Sequence, residues 1–104
     1  MKIGIIGYGR MGKEVEKIAI QKGHNIIFKI NSQNSNELNK QNIKKIDVAI
    51  DFSNSEYAFN NVNFCINHNT AIVSGTTGWQ EELINSKKLC IKKQGTFLHS
   101  PNFS

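Results

Sequence analysis

The chain has 104 residues, of which 38% are hydrophobic and 20% charged, and it carries a formal net charge of +5 at pH 7. That length holds one domain whose core needs no disulfide or metal, and the composition is globular rather than disordered or fibrous. No apolar run approaches a membrane-spanning length, and the pairs Lys44-Lys45, Lys87-Lys88 and Lys92-Lys93 stand apart without interleaved aromatics, so no membrane and no nucleic acid is expected as a partner.

The amino terminus reads as a short strand, Ile3-Gly4-Ile5-Ile6, a turn with glycines at 7, 9 and 12, and a helix over Lys13–Ile20. G-x-G-x-x-G between a strand and a helix is the arrangement a dinucleotide pyrophosphate requires. Gly7 permits a tight turn, Gly9 lets the backbone approach the phosphates, and Gly12 lets the helix pack close. The helix then directs its unpaired N–H groups and the positive end of its dipole at the anion.

Gly23 stops this helix, and His24–Asn31 follows as a second strand, rich in β-branched and aromatic residues. From Ser32 to Lys45 the chain is polar, with Leu38, Ile43 and Ile46 as anchors and a short, weak helix expected near Glu37–Asn42. Asp47–Phe52 is the third strand. Ser53-Asn54-Ser55-Glu56 caps a helix with Phe59, Val62 and Ile66 on one face.

Thr70–Ser74 is the fourth strand and leads into the loop Gly75-Thr76-Thr77-Gly78. A helix over Trp79–Gln94, with Leu83, Ile84 and Ile91 inward, is closed by Gly95. Thr96–His99 is the fifth strand, followed by Ser100-Pro101-Asn102-Phe103-Ser104. Alternating strands and helices predict an α/β fold, a doubly wound parallel sheet of the Rossmann-like dinucleotide-binding kind. Ligands of such sheets lie beyond the carboxyl ends of the strands, where the glycine turn, Asn31, Asp51-Phe52-Ser53 and the 75–78 loop all fall. Cys65 and Cys90 stand alone and read as reduced apolar residues. No metal site is expected, no leader segment interrupts the start, and a cytoplasmic location follows.

Gly7-Tyr8-Gly9-Arg10-Met11-Gly12, Asp51-Phe52-Ser53, Gly75-Thr76-Thr77-Gly78 and Ser100-Pro101-Asn102-Phe103-Ser104 together resemble the 4-hydroxy-tetrahydrodipicolinate (dihydrodipicolinate) reductase family over the whole chain. The resemblance implies reduction of a cyclic imine-type intermediate on the route to lysine and diaminopimelate, with NADH or NADPH as hydride donor. It implies that residues 7–12 hold the pyrophosphate and that Gly75, Thr76 and Thr77 lie by the nicotinamide and its ribose. Phe52 would border the nicotinamide pocket, with residues 100–103 closing over it, and Ser53 is counted among the cofactor-binding residues.

Two departures bear on function. Asn31 stands where an acidic residue usually grips the adenosine ribose, which removes a carboxylate's repulsion of a 2′-phosphate and implies use of both cofactors. The family's histidine pair and lysine, which bind the small dicarboxylate substrate and donate its proton, have no counterpart here. His24, His68 and His99 are isolated, so no catalytic residue is assigned.

The chain is therefore expected to be the 1–104 NAD(P)-binding half, without the substrate-binding domain through which the full-length family assembles as a homotetramer. A non-catalytic NAD(P)-binding module left by truncation is the alternative. Apolar side chains are expected to be exposed on the sheet face behind the fifth strand.

Overall fold

The computed structural model describes residues 1–101. Five parallel strands, β1 (Lys2–Ile6), β2 (Asn25–Ile30), β3 (Val48–Asp51), β4 (Ala71–Ser74) and β5 (Phe97–His99), form one sheet in the order β2-β1-β3-β4-β5. The helices are α1 (Arg10–Gln21), α2 (Lys40–Ile43), α3 (Ser55–Asn67) and α4 (Gln80–Lys93). The chain winds outward from β1 in both directions, so the order reverses between β1 and β3, and a crevice opens at their carboxyl ends.

Strand alternation divides the apolar residues between two layers. Ile3 and Ile5 meet Ala19 of α1 on one face. Ile6, Ile30, Ala49 and Ile72 meet Val62 and Ile66 of α3 and Leu83 of α4 on the other. Leu98 on β5 pairs in register with Val73 and is 55% exposed.

Three expectations need correction. On α4, Leu83 is buried, but Ile84 and Ile91 are exposed. The inward stripe is Trp79, Leu83, Ser86 and Cys90, at helical spacing from a tryptophan buried at the N-cap, and Ile84 and Ile91 are rotated away from it. Helix α4 is closed by Gln94, which itself takes the left-handed conformation (φ 56°), one residue before Gly95.

The polar connection holds two short pieces, a 3-10 turn at Ser35–Glu37 and then α2. The break falls at Asn39, whose side chain caps α2 by accepting from the Asn42 amide at 2.8 Å. Ile43 and Ile46 are buried and Leu38 half-buried, so the apolar anchors of this segment do hold it to the core.

Candidate functional site

The motifs converge because the backbone ladder continues past the strand ends. The Gly7 amide bonds to the Ile30 carbonyl at 2.7 Å, Phe52 to Ile6, Gly75 to Asp51 and Ser100 to Ser74, each of these three at 2.9 Å. All four polar loops thus start from one line along the carboxyl edge of the sheet.

Gly7 has φ +91°, and a Cβ there would stand 2.4 Å from the Phe52 carbonyl oxygen. Only glycine lets the first turn lie against the turn after β3. At Gly12, already inside α1, a Cβ would stand 2.3 Å from the Gly7 carbonyl oxygen. At Gly9 it would meet nothing within 4 Å. Gly9 is also the N-cap of α1, which has no side-chain cap and no acidic residue in its first turn. The first amides of α1 thus have no side-chain cap, whereas α3 is capped by Asn54, which accepts from the Glu56 amide at 3.1 Å.

A cleft of about 420 Å³ opens here, lined by Gly7, Tyr8, Gly9, Asn31, Phe52 and Ser53, all expected from the sequence. Leu38, Asn54, Tyr57 and Asn61 also line it, and sequence reasoning did not name them as site residues. Arg10 is exposed and Met11 half-buried on the first turn of α1. Asn31 opens a turn: its Oδ1 accepts from the Gln33 amide at 2.8 Å and the Asn34 amide at 3.2 Å. Two amides aimed at one atom identify it as the oxygen, leaving Nδ2, a donor only.

Gly75, Thr76, Thr77 and Ser100 lie along the same edge but outside the cleft lining, joined to it through Phe52. A Cβ at Gly75 would stand 2.1 Å from the Phe52 ring, so the ring lies directly on the glycine backbone. Thr76 is buried with its hydroxyl on Asp51 at 3.0 Å, while Thr77 is exposed. The Thr76 carbonyl accepts from Trp79 Nε1 at 2.8 Å and from His99 Nε2 at 2.9 Å. Pro101 is exposed, and Asn102 and Phe103 lie outside the described residues.

Tyr8 is held from outside the cleft. Its hydroxyl donates to Glu16 Oε1, Glu16 Oε2 pairs with Lys29 Nζ at 3.0 Å, and that ammonium lies 5.0 Å from the Tyr8 ring centre. The Tyr8 hydroxyl and then Lys29 hold the Glu16 carboxyl below its ordinary value of 4.5. Glu16 in turn raises Lys29 and Tyr8.

The signs follow from linkage. A depressed Glu16 contributes stability above its unfolded pKa, and that contribution disappears as pH falls through the folded value. A raised Lys29 contributes below its unfolded pKa, and loses that contribution as pH rises through its folded value. Wild-type protein should therefore lose stability on acidification more steeply than Glu16→Gln, as read from urea midpoints across the carboxylate range. Parallel acid limbs would remove energetic weight from this triad.

Cys65 is fully buried, and burial, with the Asp51 charge second, pushes its thiol up to about 12, so it is inert. Among the described residues no group of three His, Cys, Asp or Glu is placed to hold a metal ion, and no helix is long and apolar enough to cross a membrane.

A doubly wound parallel sheet with an uncapped glycine-rich helix start at its switch point is a Rossmann-like dinucleotide-binding domain. The family model described as dihydrodipicolinate reductase, N-terminus, matches residues 1–103, and the chain belongs to that family. It is 40% identical to the 4-hydroxy-tetrahydrodipicolinate reductase of Christiangramia forsetii over the whole chain and 43% of that protein. It is 36% identical to the enzyme of the same name from Staphylococcus aureus strain MRSA252, over the whole chain and 45% of that protein. The fold matches dipicolinate-bound dihydrodipicolinate reductase from Paenisporosarcina sp. TG-14 with a TM-score of 0.80 at 19% identity, over 97% of this chain and 47% of that one. The chain thus spans less than half the length of these relatives.

Proposed function

We propose that this chain is the NAD(P)H-holding half of a 4-hydroxy-tetrahydrodipicolinate reductase, which forms tetrahydrodipicolinate in lysine and diaminopimelate biosynthesis. The observation that carries this reading is the glycine turn. It combines an open space at Gly9, an uncapped α1 and a cleft reaching Asn31 on one side and Phe52 on the other. These residues fit a dinucleotide, since the missing Cβ and the free amides are what a pyrophosphate needs.

In this reading Gly7–Gly12 hold the pyrophosphate, Asn31 meets the adenosine ribose, and Phe52, Ser53 and Gly75–Thr77 form the nicotinamide wall. Ser100–Phe103 border that wall. When bound, the nicotinamide supplies the hydride. What the chain's own residues do is bind, orient and keep water from one ring face. The substrate's proton and the clamp for its carboxylates are assigned to the part of the protein that the relatives carry beyond the matched stretch, as is tetramer formation. Titration with NADH and NADPH, followed by nicotinamide fluorescence, tests the reading. Absence of binding by both would end it.

Asn31 also sets an expected preference. Asn31→Asp keeps the oxygen that accepts from the Gln33 and Asn34 amides, so the turn survives and the change is confined to charge. A hydrogen bond to a charged group contributes about 1.5–3 kcal/mol against about 0.5–1.5 for a neutral one, so the carboxylate favours the ribose hydroxyls while repelling a 2′-phosphate. NADPH affinity should fall by about tenfold, or roughly 1.4 kcal/mol, with NADH held or improved. Equal changes for the two cofactors would remove Asn31 from the ribose site.

A further inference from the structure

Asp51 ends β3 and is wholly buried, yet it lies outside the cleft lining. Its Oδ1 accepts from Ser53 Oγ at 2.6 Å and from the Ser53 amide at 3.3 Å. Its Oδ2 accepts from Ser74 Oγ at 2.8 Å and Thr76 Oγ1 at 3.0 Å. Second partners set the direction of two of these bonds. Ser53 Oγ accepts from Asn61 Nδ2 at 3.2 Å, and Ser74 Oγ accepts from the Thr76 amide at 3.3 Å. Each serine therefore has its own proton to give to Asp51, one to each carboxyl oxygen.

A buried carboxylate is an expensive way to fill space unless hydrogen bonds compensate it. What this one gains is a rigid joint. Ser53 lies in the turn after β3, Ser74 ends β4, and Thr76 lies in the loop after it. Phe52 sits between Asp51 and Ser53 in the chain, with its ring on Gly75. One carboxylate thus ties together the two loops that carry the aromatic ring and the Gly75–Thr77 backbone.

We infer that Asp51 is a positioning residue for the nicotinamide-side wall, acting through Ser53, Ser74 and Thr76 on the redox half of the dinucleotide and not on the adenosine half. The inference rests on the dinucleotide reading above. Two of its three side-chain partners, Ser74 and Thr76, come from β4 and its loop, across β3 and β1 from Asn31. Asp51→Asn replaces one acceptor oxygen with a donor that faces hydroxyl protons, at nearly unchanged volume.

The test is direct titration of the protein with NADH and with ADP-ribose, which lacks the nicotinamide. Wild-type protein should bind NADH more tightly than ADP-ribose. In Asp51→Asn, NADH affinity should fall about tenfold while ADP-ribose stays within about twofold. Ser74→Ala, which removes one donor and leaves the carboxylate, should show the same split at about threefold, and it decides the matter if Asp51→Asn does not fold.

Parallel loss of both ligands would make Asp51 a merely structural residue and overturn the inference, as would unchanged affinity for both. Wild-type protein that binds neither ligand would overturn the dinucleotide reading, and this inference with it.

Discussion

Gly7→Ala should destabilise the domain by about 2–5 kcal/mol, whereas Gly9→Ala, two residues on, should cost less stability and act chiefly on dinucleotide binding. At Gly7 two penalties combine. The backbone has φ +91°, where a side chain costs about 1–2 kcal/mol. The new methyl would also stand 2.4 Å from the Phe52 carbonyl oxygen and 2.5 Å from the Ser53 amide nitrogen. Those are backbone atoms of the neighbouring turn, so relief requires moving the end of β3, and overpacking of this kind costs about 1–3 kcal/mol.

For a domain of 104 residues the total stability is roughly 5–15 kcal/mol, so this single methyl removes a large share of it. Gly9 is extended (φ −91°, ψ −150°), and its Cβ would enter open space. Alanine is a poorer N-cap than glycine, so the folded state should lose about 1 kcal/mol, less than at Gly7. That open space is where the pyrophosphate must come, and the methyl should weaken NADH by at least about tenfold. Urea midpoints and NADH titrations on the two variants separate the effects. Equal stability losses at both positions would show that Gly9 serves the turn and not the ligand.

The contrast marks how far the sequence could be read. G-x-G-x-x-G identifies the turn, because strand, glycine spacing and helix are local in the chain, and the carboxyl-edge motifs follow from parallel connectivity. What each glycine faces is set by distant residues. Nothing near Gly7 announces that Phe52 and Ser53 lie against it, and nothing near Gly75 announces the Phe52 ring.

Helix α4 shows the same limit. Its segment carries two plausible apolar stripes, and the one containing Trp79 wins because α3 and β5 offer that tryptophan a place in the core. The Asp51 joint was half legible. Asp51 pairs in register with Ser74, so polar residues at 51, 53, 74 and 76 had to fall together once β3 and β4 were adjacent. The alternation Asp-x-Ser and Ser-x-Thr at two aligned strand ends was the available signal. The split of the polar segment at Asn39 depends on one side-chain cap, which asparagine-rich sequence offers at many positions.

Removing the indole of Trp79 should have the largest effect of any side-chain truncation near the site. Trp79 is 3% exposed, its ring lies 6.3 Å from Phe97 and meets His99 edge-on at 5.8 Å. Trp79→Ala should cost about 3–5 kcal/mol, the range for emptying a buried aromatic site.

The informative variants keep an aromatic ring and remove the hydrogen bonds. The buried Thr76 carbonyl accepts from both Trp79 Nε1 and His99 Nε2, so it stays satisfied when either donor is lost. The second bond also fixes His99 as the tautomer with its proton on Nε2, since a carbonyl can only accept. His99→Phe should cost about 1 kcal/mol through loss of one bond of two, and Trp79→Phe more than that, because the smaller ring also leaves part of the indole's buried space empty. The double variant strands the carboxyl-edge loop with an unpaired buried acceptor, whose desolvation costs about 1–3 kcal/mol.

The pair should therefore be worse than the sum of the singles, whereas independent sites add within about 0.3–0.5 kcal/mol. Urea unfolding of the four proteins in the cycle measures the excess. Additive losses would mean that water satisfies the Thr76 carbonyl once both donors are gone.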